Sequence, residues 1–299
     1  MLRPATPFET YIRHPLEAIG ATFMWTVFRI LPLDWSSALG GWLARSIGTK
    51  LKLSRRADRN IRRAFPGIKD DAVDKIIHGM WDNLGRTVAE FPHLSSFKFN
   101  GDNPRIHING HAHLMSFRDD DKPGFFVSAH IGNWELAPLT AFAHDVPSVF
   151  VYREANNRLV EKLYMRGRSL YKNMMIPKGG EGAKQTIKAL KDGKHIGVMI
   201  DQKMNDGIPV PFFSIEAMTA PAVAQMALRF NCPILPARVI REQGARFRVD
   251  ISEPIYAKDT GNKIVDTKQF MIEINTIVEG WVREHPDQWL WLHNRWPNT

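Results

Sequence analysis

Cysteine is almost absent from this chain, and the one present, Cys232, precedes Pro233 in an apolar run. That excludes an internal disulfide, and the thiol reads as a small buried hydrophobe in a protein of a reducing compartment. No Gly-x-Ser-x-Gly elbow occurs either, so neither usual covalent nucleophile is presented. The phosphate-loop pattern and the dinucleotide fingerprint are both missing. The cluster Gly179-Gly180-Glu181-Gly182 fits neither and reads as a loop before a helix. Repeats, long polar linkers and low-complexity stretches are lacking too. Near the N-terminus, the uncharged run Ala18 to Phe28 falls short of the about 20 apolar residues that a membrane span needs. No small-residue cleavage site of a signal peptide follows it.

What is present is a globular composition. The 299 residues are 44% apolar and 24% charged, enough for a full core in one large α/β domain or two small ones. Lysine and arginine exceed aspartate and glutamate by 40 to 31, a positive field suited to phosphorylated sugars, anionic lipids, acidic carrier proteins or nucleic acid. The uncharged run, flanked by Arg13 and Arg29 with Trp25, Trp35 and Trp42 nearby, reads as an interfacial anchor or a short membrane-inserted helix. A helix follows over 36–53, with Leu39, Trp42, Leu43 and Ile47 at helical spacing. The basic stretch Arg55, Arg56, Arg59, Arg62 and Arg63 is either a solvated helix face or a site for anionic lipid headgroups.

Asp70 or Asp71 caps an amphipathic helix through Val73, Ile76, Ile77, Met80, Trp81, Leu84 and Val88. Beyond Pro92, strands are expected at 125–129, 148–152, 196–200, 234–239 and 247–251. Helices are expected at 155–171, 183–190, 220–230 and 264–284. Their alternation predicts an α/β fold with a central, mostly parallel or mixed sheet flanked by helices. In such a sheet, ligands bind beyond the carboxyl ends of strands.

The run Gly124 to His130 is an apolar strand ending in histidine, and Ile131 to Glu135 then opens a helix. With 11 histidines and 31 acidic residues, a His followed five later by Asp or Glu arises roughly once by chance, so placement at a strand's end gives the pair its weight. Glu135 is expected to accept a proton from His130 Nδ1, leaving Nε2 to deprotonate a hydroxyl, while backbone N–H groups at the helix start face an oxyanion. The bland alternative is a carboxylate that complements the helix dipole beside a surface histidine. Direct transfer from a thioester to a hydroxyl needs no more than a base and an oxyanion site.

Seven segments in order carry a resemblance. They are Asn60 with Phe65-Pro66; Asn109 to Leu114; Ser128 to Glu135; and Tyr152-Arg153 with Asn156-Asn157. Asp201-Gln202, Pro211-Phe212-Phe213 with Thr219-Ala220, and Trp289 to Trp296 complete the set. Together they resemble the bacterial lipid A late acyltransferases, whose fold is similar to that of the glycerolipid acyltransferases. The resemblance implies an N-terminal membrane-anchor and helical segment, 1–53, and an acyltransferase domain, 54–299. It implies transfer of an acyl chain from acyl-carrier protein to a hydroxyl of a lipid A precursor at the cytoplasmic face of the inner membrane, without a cofactor. His130 is then the general base and Glu135 its orienting partner. Arg153, Arg166 and Arg168 are phosphate binders or solvated helix residues, and Asp201 holds the acceptor, pairs with an arginine or shapes a turn. One departure is Ser214 after Phe212-Phe213, where the family often has glycine.

Three other readings compete. His107, His111 and His113 suggest a zinc hydrolase, but the cluster contains no carboxylate and no His-Glu-x-x-His, so no metal is expected. The positive charge suggests nucleic acid, but the arginine runs lack interleaved aromatics. Another glycolipid or a lysophospholipid as acceptor keeps the chemistry and changes the substrate.

Overall fold

The computed structural model describes residues 6–296, so the start of the expected segment 1–53 and the end of the expected segment 54–299 lie outside the described residues. Helices α1 (His14–Ile30), α2 (Leu33–Gly48), α3 (Lys52–Ala64) and α4 (Asp70–Glu90) precede the sheet. Strand β1 (Ile106–Asn109) and helix α5 (His111–Asp119) follow, then β2 (Phe125–Ser128), α6 (Leu136–Ala143), β3 (Ser148–Tyr152), α7 (Arg158–Gly167) and β4 (Met175–Pro177). The second half runs α8 (Gly180–Lys191), β5 (His195–Met199), the hairpin β6 (Ile208–Phe212) and β7 (Ile215–Thr219), and α9 (Ala222–Phe230). It ends with β8 (Ile234–Gln243), β9 (Arg246–Ile251) and α10 (Lys263–Glu284).

Seven strands form one sheet in the order β1-β9-β8-β2-β5-β3-β4, parallel throughout except between β8 and β9. This is the expected mixed sheet, and the five expected strands are all in it. The expected sequence signal was weakest where strands are short: β1 and β4 have four and three residues. Successive side chains alternate between faces, and the two faces bury different cores. Phe125, Ile196 and Ile234 pack toward α9 and α10, and Phe126, Phe150 and Leu235 toward α5 and α6. The Gly179–Gly182 cluster is less of a loop than expected, because α8 begins at Gly180. Ser214 closes the β6–β7 hairpin at φ 60°, after Phe213 at φ 54°. That left-handed backbone is where glycine costs least, and serine adopts it here.

The helix expected over 36–53 is broken, since α2 ends at Gly48 and α3 starts at Lys52, and the stripe of Leu39, Trp42, Leu43 and Ile47 is not the buried face. Ser36, Ser37, Gly40, Gly41 and Gly48 are buried, while Trp42 and Ile47 are 52% and 58% exposed. The reason is close approach to α4: a Cβ on Gly40 would lie 2.4 Å from the Gly85 carbonyl oxygen, so larger side chains are turned outward. Ser36 and Ser37 satisfy their hydroxyls on Ala89 O and Glu90 Oε1, at 2.9 and 2.7 Å. The outward face is continuous in sequence with exposed Phe8, Ile12, Leu16, Ile19, Phe23 and Ile30 on and before α1. No helix among the described residues is long and apolar enough to cross a membrane. The expected anchor is therefore a 17-residue helix with an exposed apolar face.

Candidate active site

Strand β2 is a central strand, bonded to β5 on one side and β8 on the other, and it delivers His130 to the carboxyl end of the sheet. His130 is thus less open than a solvent-facing edge histidine, with its side chain 16% exposed. The chain then turns sharply. Gly132 has φ +58°, and a Cβ there would stand 2.0 Å from Val239 O, so the turn admits glycine alone.

The expected hydrogen bond between His130 and Glu135 is not made. Asp201, which follows β5, takes that place: its Oδ1 accepts from His130 Nδ1 at 2.8 Å, and its Oδ2 accepts from His130 N and from Trp289 Nε1, both at 2.8 Å. Asp201 is buried, which alone would raise its pKa, but His130 and its hydrogen bonds hold the carboxyl well below the usual range. Burial would lower the His130 pKa, yet the Asp201 charge and hydrogen bond, with help from Glu135, raise it above its ordinary value. The carboxylate fixes the proton on Nδ1 and leaves Nε2 free to accept a proton. The two strands are neighbours in space and 71 residues apart in sequence, which is why spacing favoured Glu135.

Glu135 serves a different partner. It stands buried at the N-terminal boundary of α6 without capping it and forms a bidentate pair with Arg168, Nε to Oε2 at 2.9 Å and Nη2 to Oε1 at 2.7 Å. Tyr171 OH donates to its carbonyl at 3.3 Å. Burial would lower the Arg168 pKa, but Glu135 outweighs it and the guanidinium stays charged. Its Cζ also lies 5.1 Å from the Tyr152 ring centroid and 5.6 Å from that of Phe91. Glu135→Ala is expected to cost about 3–5 kcal/mol of stability by leaving Arg168 buried without its counter-ion. Chemical denaturation reads that loss, and Arg168→Met in the same chain should recover much of it. An unchanged denaturation midpoint would show that the pair carries no net weight.

Other expected residues divide. Arg153 is exposed at the rim of the cavity, Nη2 donating to Asn156 Oδ1 at 3.4 Å. Arg166 is exposed on α7 and does not line the cavity. His107, His111 and His113 lie on β1 and α5 and do not line it either, and no candidate metal cluster occurs among the described residues.

Of the backbone N–H groups at the start of α6, those of His130, Ile131, Gly132, Glu135, Leu136 and Ala137 are engaged within the protein, and those of Asn133 and Trp134 remain open among the described residues. Among the described residues, two buried side-chain donors that line the cavity have no partner: Ser128 Oγ and Arg168 Nη1. Sequence reading placed Ser128 in a motif without a role. It missed Gln202 and His293 as neighbours of the base, though both stood in quoted motifs. The Gln202 amide nitrogen lies 3.3 Å from His130 Nε2 and 3.1 Å from His293 Nε2, donating to both. Burial and the nearby His130 lower the His293 pKa to about 4, so that ring is neutral near pH 7.

Motifs distant in sequence buttress this arrangement. Leu290 N donates to His130 O at 3.0 Å, Asn60 Nδ2 donates to Trp291 O and His293 O at 2.8 Å, and Arg295 Nη2 donates to Thr219 Oγ1 at 2.8 Å. On the opposite side, Asn133 Nδ2 donates to Glu90 Oε2 at 2.8 Å, and Glu90 is paired with buried Arg241. Beside His130 opens a cavity of about 760 Å³, lined mostly by apolar side chains. A histidine with a fixed tautomer, a buried hydroxyl and guanidinium donor and an apolar recess suit proton abstraction from a hydroxyl that attacks an acyl carbonyl.

A family profile described as bacterial lipid A biosynthesis acyltransferase matches residues 5–298. The chain is 22% identical over 302 residues to the lipid A biosynthesis lauroyltransferase of Escherichia coli (strain K12), covering 96% of this chain and 94% of that protein. It is also 22% identical to the lipid A biosynthesis palmitoleoyltransferase of Escherichia coli (strain K12) and to a lipid A biosynthesis acyltransferase of Shigella flexneri, each over 98% of this chain and 95% of the relative.

Proposed function

We propose, because this chain belongs to the bacterial lipid A biosynthesis acyltransferase family and is an O-acyltransferase, that it moves a fatty acyl chain from an acyl-carrier-protein thioester to a hydroxyl of a lipid A precursor. The observation that carries this reading is His130, its tautomer held by Asp201, at the mouth of an apolar cavity. His130 Nε2 takes the hydroxyl proton as the oxygen attacks the thioester carbon. Ser128 Oγ and Arg168 Nη1 donate to the oxyanion. The carbon–sulfur bond then breaks, and the proton held by His130 goes to the departing thiolate. No covalent enzyme intermediate and no cofactor take part. The cavity gains about 0.8 kcal/mol for each methylene it buries, which matches an acyl chain as its occupant.

The exposed apolar face of α1 and α2 supports a seat on a membrane surface, which we assign to the cytoplasmic face of the inner membrane, where the acceptor lipid is reached laterally. Phe23, 65% exposed on α1, then enters the bilayer interface. Phe23→Ser should weaken binding to anionic lipid vesicles by about tenfold or more, since burying such a side chain contributes roughly 1.5–3 kcal/mol. Flotation with vesicles measures it, and equal flotation of the two proteins would remove α1 from the interface.

The reaction is tested with membranes containing the protein, supplied with acyl-carrier-protein thioesters and a tetra-acylated lipid A precursor. A product heavier by one acyl chain is expected. If lysophospholipids are acylated and the precursor is not, the acceptor assignment fails while acyl transfer stands.

A further inference from the structure

The cavity beside His130 is not one recess. Its lining draws on both sheet faces, and the two sets of residues belong to separate cores. One arm lies under α5 and α6, bounded by Leu114, Phe126, Ala141, Phe150, Ala237 and Ile251, each less than 9% exposed. Its lining runs across β3, β5, β2, β8 and β9, four interstrand steps of about 4.8 Å, so this arm extends roughly 20 Å between buried walls. The other arm lies on the opposite face between α8 and α9, against Val198 and Ile200 of the sheet end, with Ile187, Val223 and Met226 along its walls. This arm is an open groove, because Ala183 and Ala222, which also line it, are exposed. Both arms meet at the carboxyl ends of β2 and β5, where His130 and Gln202 stand.

We propose that the open groove between α8 and α9 is a second acyl-chain site, occupied by a chain of the acceptor lipid while the enclosed arm holds the donor chain. The assignment rests on the acyltransferase reading and on which arm carries the carbonyl donors. Ser128 is two residues from Phe126 and shares its sheet face, so its unpartnered hydroxyl belongs to the enclosed arm, as does Arg168 Nη1 above α6. A thioester carbonyl held by those donors puts its whole chain into that arm. The acceptor must approach from the remaining side with its polar headgroup in water, and an open groove permits that where buried walls do not. Exposed Lys178 and Lys203 at the groove's rim give an anionic headgroup its counter-charge. Two chains on opposite faces of one sheet then converge on one base.

The test is a pair of plugs assayed with acyl-carrier-protein thioesters of graded chain length and with the lipid A precursor. Ala183→Phe on exposed α8 should raise the acceptor KM by at least about tenfold and leave the ranking of donor chain lengths as in the parent, since one misfit group in an apolar pocket is worth about tenfold or more. Ala141→Phe, or Ala137→Leu if the first fails to fold, should shift the donor preference to shorter chains and leave the acceptor KM as it was. The inference is overturned if Ala183→Phe leaves the acceptor KM within twofold, or if both plugs move the donor ranking alone, which would make the two arms one chain site. If the parent protein transfers no acyl group to the precursor or to lysophospholipids, the acyltransferase reading of the site falls, and the second chain site falls with it.

Discussion

His130→Ala is expected to lower turnover by about 10²- to 10⁴-fold, the span that a positioned general base contributes. The loss is expected without unfolding. His130 is held through its backbone as well as its ring: its N–H donates to Asp201 Oδ2, and its carbonyl accepts from Leu290 N. Both bonds survive removal of the imidazole, as does the hydrogen bond from Trp289 Nε1 to Asp201. The space left adjoins the cavity and is filled by water at little cost. Asp201 does lose the cation that holds its pKa down, so part of its ionisation energy is surrendered. Turnover and thermal unfolding measured on one preparation separate the effects. Near-normal turnover from a folded variant would remove the base from His130 and leave the oxyanion donors as the whole of catalysis.

Most of the sheet was legible in the sequence, because its buried strands are short apolar runs bounded by turn residues: 125–128, 148–152 and 234–243 announce themselves in this way. Strands whose edges face water, such as β1 and the hairpin β6–β7, carry Pro209, Pro211 and isolated polar residues and send no such signal. The place of His130 was legible for a related reason, since a histidine that ends a buried strand must sit at the sheet's carboxyl end. Its partner was not. Which carboxylate meets Nδ1 depends on the neighbour of β2 in the sheet, and strand order is set by packing of helices on both faces rather than by local pattern. Glu135 was nearer along the chain, but its side chain lies with Arg168, a residue that sequence spacing placed on a solvated helix or at a phosphate. The inward face of α2 was illegible for the same reason: periodicity located the apolar stripe, but the small residues opposite it allowed α4 to approach, and close contact decided which side went inward.

Asp201→Asn tests the pair from the other side, and geometry fixes its outcome. Two fixed donors, His130 N and Trp289 Nε1, converge on Oδ2, while His130 Nδ1 alone faces Oδ1. An asparagine must turn its oxygen toward the two fixed donors, so its NH₂ faces Nδ1. That nitrogen becomes the acceptor, the ring proton moves to Nε2, and the base is protonated where it should be vacant. Turnover should fall by about 10³- to 10⁴-fold for this tautomer error, as in other histidine bases that lose their orienting carboxylate. The pH profile gives a second reading. The Asp201 charge raises the His130 pKa, so the parent's kcat/KM should fall with acidification through a midpoint above about 6.5, the ordinary histidine value. Removing that charge moves the residual activity's acid limb to lower pH. The stability contributions have opposite signs. His130, with its raised pKa, stabilises the fold fully below its unfolded value and loses that effect as pH rises through the folded one. Asp201, with its lowered pKa, stabilises above the unfolded carboxylate value and loses the effect as pH falls through its depressed one. The pair is therefore worth most between about pH 4 and 6.5, a maximum that Asp201→Asn should flatten in chemical denaturation across that window. An acid limb that stays in place in the asparagine protein would mean that another group, not His130, titrates in the reaction.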